Sequence, residues 1–386
     1  MKVKISQIRK NYVYIALLLI FLSSDSIYGI YYDTLTPLKL LVGVIGILPI
    51  IFVFQKIRIK HLFYLFVFSV AFIVNSLNNG TSFDIWIMIL FRIISLYPLM
   101  LLINQEKESF LEMYSDFMYK TAILFLVLFI VIVLIGDIIP YEVVNPSKNL
   151  FSYRNYYGVI FQLPRQAGLF DSYMFRSHGF TWEPGQYQIY LNFALYYYLF
   201  FKAENKKKII ILIISIFATM STMGLLILSL QILGKILFMK KGRYFVVVKL
   251  MLGFIVIVLG MAILQEKSMS GSYELRILDM ANSIKAIKDN FVYGSGVRSF
   301  ETSNGLLSVI ADNGLFIISL LTLSAYKWVV ATKSNIGIIE SLLFICIFLL
   351  GLMNEPIQYT SFVFLLVWIM LFDKPKSEKL YGRYKL

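Results

Sequence analysis

The chain has 386 residues, 59% of them hydrophobic and only 15% charged, with a formal net charge of +14 and one cysteine. So large an apolar fraction over this length excludes a soluble globular domain and points to a polytopic membrane protein. Cys346 lies in an apolar stretch and excludes an intrachain disulfide, while the basic excess, spread in short clusters between apolar runs, excludes a nucleic-acid surface.

A helix needs about 20 apolar residues to cross a bilayer. Twelve spans are predicted, at 12–32, 35–54, 61–75, 84–103, 120–139, 186–201, 208–220, 222–239, 245–264, 305–326, 336–352 and 359–372. The fold class is therefore all-α, with residues 1–386 forming one transmembrane domain. Lys2, Lys4, Arg9 and Lys10 lead into the first span with no small-residue cleavage site, so that span is expected to be retained. The seventh and eighth spans share one apolar stretch. Lys206, Lys207 and Lys208 precede it and Lys240, Lys241 and Arg243 follow, so a tight hairpin at Thr219–Gly224 keeps both clusters on one side. About two-thirds of the 36 Lys and Arg then fall in tails and loops of that side, and the short turns at 33–34, 76–83, 221 and 353–358 hold none. Both termini and the loops at 55–60, 202–208, 235–244 and 327–335 are accordingly expected to be cytoplasmic. Tyr196, Tyr197, Tyr198, Phe200 and Phe201 are expected to form an aromatic belt at that interface.

Two loops on the opposite face are long, 140–185 and 265–304. They carry Lys148, Arg154, Arg165, Arg176, Lys267, Arg276, Lys285, Lys288 and Arg298. These cations form either a solvated surface or an anion site. Within the second loop, Ser272 to Asn290 reads as an amphipathic helix, with Ile277, Met280, Ala281, Ile284 and Ile287 on one stripe. Such a helix lies along a membrane interface. Arg92 falls near the middle of the fourth span, where a charge costs at least about 2.5–3.5 kcal/mol. Its partner is either an anionic ligand or a structural group such as Asp25. Asp312 and Asn313 are expected to line a polar cavity, and Asn354-Glu355-Pro356 reads as a capping turn, with a catalytic carboxylate as the alternative.

The densest chemistry is Phe175 to Leu191, FRSHGFTWEPGQYQIYL, where a polar loop runs into a membrane helix. Arg176, His178 and Glu183 fall close together, and Pro184 suits the first helical turn, where a missing N–H is no loss. Glu183 and His178 are the candidates for a general base. Glu183 could instead cap the helix, accepting backbone N–H bonds. No CxxC or HExxH pattern is present, so no metal site is expected. Gly294-Ser295-Gly296 lacks the companions of a nucleotide-binding motif and reads as a turn.

In this order and topology the motifs resemble the O-antigen polymerase and O-antigen ligase superfamily of bacterial membrane glycosyltransferases. The resemblance rests on the span count, on the long loops after spans five and nine, and on three patterns. The first is Phe175-Arg176-x-x-Gly179-Phe180-x-x-Glu183-Pro184. The second runs Arg276, Asn290, Gly294-x-Gly296, Phe300, Asn304 and Gly314-Leu315. The third is Ser221-Thr222-Met223-Gly224 at the hairpin. Many members carry arginine where this chain has Met223. Ser303 stands where the ligase branch usually has histidine, which favours a polymerase.

The resemblance implies two long periplasmic loops on an inner-membrane enzyme that joins oligosaccharide repeats carried on undecaprenyl pyrophosphate. The partners implied are that lipid-linked oligosaccharide, membrane lipid and a chain-length-regulating membrane protein. The phosphoester drives the transfer, so no nucleotide or metal cofactor is expected. Arginine suits pyrophosphate because its planar fork pairs with phosphate oxygens. Arg176, Arg276 and Arg298 are the first candidates for that contact, with Arg92 and Arg165 behind them. Ligase and lipid-linked-oligosaccharide flippase are the alternative readings.

Overall fold

The computed structural model describes residues 2–31, 36–53, 59, 63–64, 66–67, 69–70, 83–104, 109–145, 152–164, 166–167, 173–238, 271–296, 303–357 and 359–373. The expected spans at 245–264 and, for the most part, 61–75 lie outside these residues, as do Arg165 and Arg298. In chain order the helices are α1 (Lys2–Ser24), α2 (Ile27–Tyr31), α3 (Thr36–Ile47), α4 (Ile50–Val53), α5 (Phe83–Asn104) and α6 (Phe110–Ile135). Five short strands follow, β1 (Glu142–Val144), β2 (Tyr153–Tyr156), β3 (Ile160–Gln162), β4 (Gln166–Ala167) and β5 (Tyr173–Met174). Helices then resume with α7 (Pro184–Phe200), α8 (Lys206–Ala218), α9 (Thr222–Phe238), α10 (Gly271–Asp289), α11 (Gly305–Thr332), α12 (Ile338–Asn354) and α13 (Ser361–Phe372).

The protein is mostly helical. Among the described residues α6 and α11 are long and apolar enough to cross a membrane, and shorter apolar stretches include Thr222–Ile236 and Ile338–Asn354. Most of the apolar length of α6 is not buried inside the protein. Leu124, Val127, Ile130, Val133 and Leu134 lie on the surface, an exposed apolar flank of the kind that lipid covers.

The bundle is built round α7. Every residue from Pro184 to Leu199 is buried, and the helix packs against α6, α8, α9 and α12. A helix with no charged residue on any side needs such neighbours. This corrects the expected aromatic belt. Tyr196, Tyr197, Tyr198 and Phe201 are interior residues. Tyr196 donates to the Glu340 carbonyl (2.7 Å), and Tyr198 meets Asp116, which also pairs with Lys208. Aromatic residues at a span's end look the same in sequence whether they face lipid or a neighbouring helix.

α13 is the second buried helix, enclosed from Ser361 to Leu371 and packed on α5, α11 and α1. Its ends are tied by carboxylates. Asp25 accepts from the N–H groups of Ser361 and Phe362 (both 3.0 Å) and from the Tyr190 hydroxyl (3.0 Å). At the other end Asp373 accepts from Ser109 Oγ (2.7 Å) and from the N–H groups of Phe110 (3.2 Å) and Leu111 (2.9 Å), closing the start of α6.

Two features depart from the expected pattern of loops and spans. Residues 140–185 hold an antiparallel sheet of order β1-β2-β3 and a separate β4-β5 pair. Strands of two to four residues are too short to show a period-two pattern. Second, α11 breaks at Gly314 (φ 59°, ψ −147°). The turn that follows α10 fills the break. Ser295 and Gly296 N–H donate to the carbonyls of Ala311 (2.9 Å) and Asp312 (3.1 Å), and Leu315 N–H donates to Phe291 O (2.8 Å). Backbone groups freed by a break in a buried stretch need such partners. In place of an open cavity, Asp312 and Asn313 are buried on Tyr359, whose hydroxyl donates to Asp312 (2.7 Å) and accepts from Asn313 (2.9 Å). On α10, Ile277, Met280, Ala281 and Ile284 are exposed and Ile287 is half-buried, so the apolar stripe has little cover from the protein.

Candidate functional site

The site gathers where the chain enters α7. Pro184 takes the first helical position and Glu183 the N-cap, with extended backbone (φ −145°, ψ 155°). The Glu183 side chain makes no capping hydrogen bond, so the alternative reading of it as a helix cap does not describe its contacts. A different carboxylate lies on that helix end. Glu355, at the C-cap of α12, is buried against Gly185, and a Cβ built on Gly185 would come within 2.0 Å of Glu355 Oε1. Only glycine allows this approach. A carboxylate suits a helix N-terminus, where unpaired N–H groups and the helix dipole favour negative charge. Asn354 Nδ2 donates to Glu355 Oε1 and fixes it there (2.5 Å).

Arg176 reaches the same place from the loop. Its Nε donates to Thr219 O (3.1 Å) and the neighbouring Ser177 N–H donates to Ala218 O (2.9 Å), so the loop is laid across the turn between α8 and α9. That turn sits at residues 219–221, within the expected hairpin, with Met220 in the left-handed region (φ 48°). Burial pulls the Arg176 guanidinium below its ordinary value. The negative charge of Glu355, and then of Glu183, acts in the opposite direction, and the side chain stays protonated. A cation flanked by two carboxylates at the end of an apolar bundle can hold an anion and, beside it, accept a proton.

His178 is buried, and its ring serves the loop. Nδ1 donates to Thr181 O (2.6 Å), and Thr181 Oγ1 donates back to His178 O (2.7 Å) and lies 2.9 Å from Glu183 O. Burial pushes the imidazole below its ordinary value, against the opposing effect of the Thr181 and Phe161 backbone, which keeps it neutral near pH 7. The sheet braces the same loop, since the Tyr153 hydroxyl donates to Trp182 O (2.6 Å) and Gln162 Nε2 to Arg176 O (2.9 Å).

Of the residues singled out from sequence, Arg176, His178 and Glu183 come together. Arg92 lies in α5 and Arg276 in α10, with side chains outside the described residues. Glu355 is the member whose sequence context favours a capping turn over a catalytic carboxylate. The signal pointing to it is a buried carboxylate at the end of an apolar helix, beside a glycine on a partner that only the fold identifies.

Gln186, one position beyond Gly185, is fully buried, and neither of its amide atoms has a partner among the described residues. Deeper in the bundle Asn192 Nδ2 donates to Gln188 Oε1 and Gln231 Nε2 to Asn192 Oδ1 (both 2.9 Å), which locks α9 to α7. Comparison with protein-family models, curated proteins and solved structures finds no match to this chain.

Proposed function

We propose that the protein is a polymerase of O-antigen or a related surface polysaccharide, joining repeat units carried on undecaprenyl pyrophosphate. The observation that carries this reading is the convergence of Arg176, Glu183 and Glu355 where a polar loop enters a buried helix. The motif resemblance supplies the reaction class. In this reading the chain crosses the bacterial inner membrane twelve times, with both termini cytoplasmic and the site on the periplasmic face.

Glu183 takes the proton of an acceptor sugar hydroxyl. The resulting oxygen attacks the anomeric carbon of the donor glycan, and the bond from that carbon to the phosphate oxygen breaks. Undecaprenyl pyrophosphate leaves with the bonding pair. Arg176 meets the charge that builds on the leaving group, and Arg276 and Arg298 from the second loop join it, with Arg92 and Arg165 as further contacts. Glu355 holds the entry of α7, and His178 keeps the loop in register. The apolar flanks of the bundle accept the lipid tails.

Two experiments test the reading. Deletion of a polymerase leaves single repeats on the acceptor lipid, whereas deletion of a ligase or flippase leaves none. The variant Arg176→Lys keeps the charge and loses the planar fork, so at matched protein level it should shorten the polymer ladder. A wild-type ladder would reduce Arg176 to a structural cation bonded to Thr219.

A further inference from the structure

The hairpin joining β2 to β3 turns on Tyr157 and Gly158, both at positive φ (57° and 71°). Val159 N–H donates to Tyr156 O (3.2 Å) and Gly158 N–H to Asn155 Oδ1 (2.7 Å), closing the turn. Two central residues at positive φ make a tight hairpin turn that favours Asn, Asp or Gly, because larger side chains crowd the backbone there. Tyrosine at the first of these positions is strained. The turn's backbone is anchored from within, the Tyr28 hydroxyl donating to Val159 O (2.7 Å), but its side chains have no cover, Tyr157 being 76% exposed and Val159 beside it 68% exposed. A large apolar side chain held at a strained position and left uncovered by the chain points to something outside it.

What lies outside is indicated by the neighbouring surface. Ile138, Tyr141 and Val143 are also exposed and lead from the sheet to the end of α6. The sheet is tied to that end, since the Tyr156 hydroxyl donates to Gly136 O (3.1 Å) and Tyr156 packs on Tyr141 (ring centroids 5.7 Å apart). The apolar patch therefore continues the exposed flank of a helix long enough to cross a membrane. Its polar edge is the ion pair of Arg154 with Asp137, the guanidinium lying over the Tyr141 ring (4.4 Å to its centroid). Apolar and tyrosine side chains bordered by an arginine match the headgroup boundary of a bilayer.

We infer that the β2–β3 hairpin dips Tyr157 and Val159 into the headgroup–acyl boundary of the leaflet that adjoins the end of α6. The sheet is then a membrane-seated brace. Through Tyr153 on Trp182 and Gln162 on Arg176 it sets the height of the candidate site above the lipid. This rests on membrane insertion of the chain and not on the glycosyl-transfer reading.

The test uses the full chain with Cys346→Ser and Tyr157→Cys, spin-labelled and reconstituted in phosphatidylethanolamine–phosphatidylglycerol vesicles. The ratio of collision with oxygen to collision with a water-soluble nickel chelate should be several-fold higher than for a label at Lys207. An equal ratio would overturn the inference and assign the patch to water or a protein partner. Should the labelled chain fail to fold, Tyr157→Trp keeps an aromatic ring at the tip. The fluorescence it adds over wild type should be quenched by lipids brominated near the headgroup, and absence of that quenching would have the same force.

Discussion

α13 and α7 are both buried helices that start at the same end of the bundle, where Ser26 bridges to Thr181 and Asp25 reaches Tyr190. Their entrances differ. At α13 the Asp25 carboxylate accepts two backbone N–H groups and a tyrosine hydroxyl, as a structural cap does. At α7 the residue in the N-cap position, Glu183, makes no such bond, and the carboxylate lying on the first turn is Glu355 from a distant helix. The contrast separates two uses of an acidic residue that sequence position alone cannot distinguish. One carboxylate is spent on the fold, while the other stands at a helix entrance that a second carboxylate already serves.

The contrast fails first, and by most, if Asp25 is not structural. Asp25→Ala leaves three buried donors without their partner and should cost about 3–5 kcal/mol. The fraction of protein folded in detergent after a heat step should fall sharply, and a wild-type melting profile would show that the cap is dispensable. Next comes Gly185→Ala, whose methyl would strike Glu355 Oε1. It should cost roughly 1–3 kcal/mol as an overpacking change. The polymer ladder should shorten with it, and a silent Gly185→Ala would mean that Glu355 moves aside freely.

A smaller effect is expected from pH. His178 has a folded-state pKa below its ordinary 6.5 because burial opposes its charge. Its contribution is therefore complete above pH 6.5. As pH falls from there toward the depressed folded value, the unfolded chain takes up a proton that the folded chain refuses, and that contribution is lost. Melting temperatures recorded across this range should slope downward in wild type and less so in His178→Asn; identical slopes would remove His178 as the cause. The smallest change in stability belongs to Glu183→Gln, below about 0.5 kcal/mol because no capping bond is lost. Only single-repeat product is expected from it at normal protein level. Full-length polymer would exclude Glu183 as the base, and a collapse in protein level would return it to a structural role.

The entrance to α7 was legible because its signals are local: Pro184 in the first turn, Arg176 and His178 close before it, and a run without any charge after. The hairpin at 219–221 followed from charge placement, since two basic clusters flank one apolar stretch. Glu355 was not legible as part of the site, because its approach to Gly185 depends on how α12 packs against α7. The sheet escaped for a different reason, its strands being too short for alternation to register. The tyrosines of α7 were misplaced because an aromatic cluster at a span's end carries no mark of which surface it meets. Only the ring of helices around α7 decides that.

The break in α11 bears on the thickness of bilayer that the protein fits. Unbroken, its 28 residues would run about 42 Å, well beyond a hydrocarbon core of about 30 Å. Gly314 divides that length, and from Leu315 to Thr332 the second leg runs about 27 Å. That leg has the length of the core without tilt, and a chain that crosses the bilayer by it would leave the first leg and its docked turn to the interface. A thicker bilayer would draw the Phe291–Gly296 turn toward the acyl chains, and its backbone contacts with Ala311, Asp312 and Leu315 would be the joint that absorbs the mismatch.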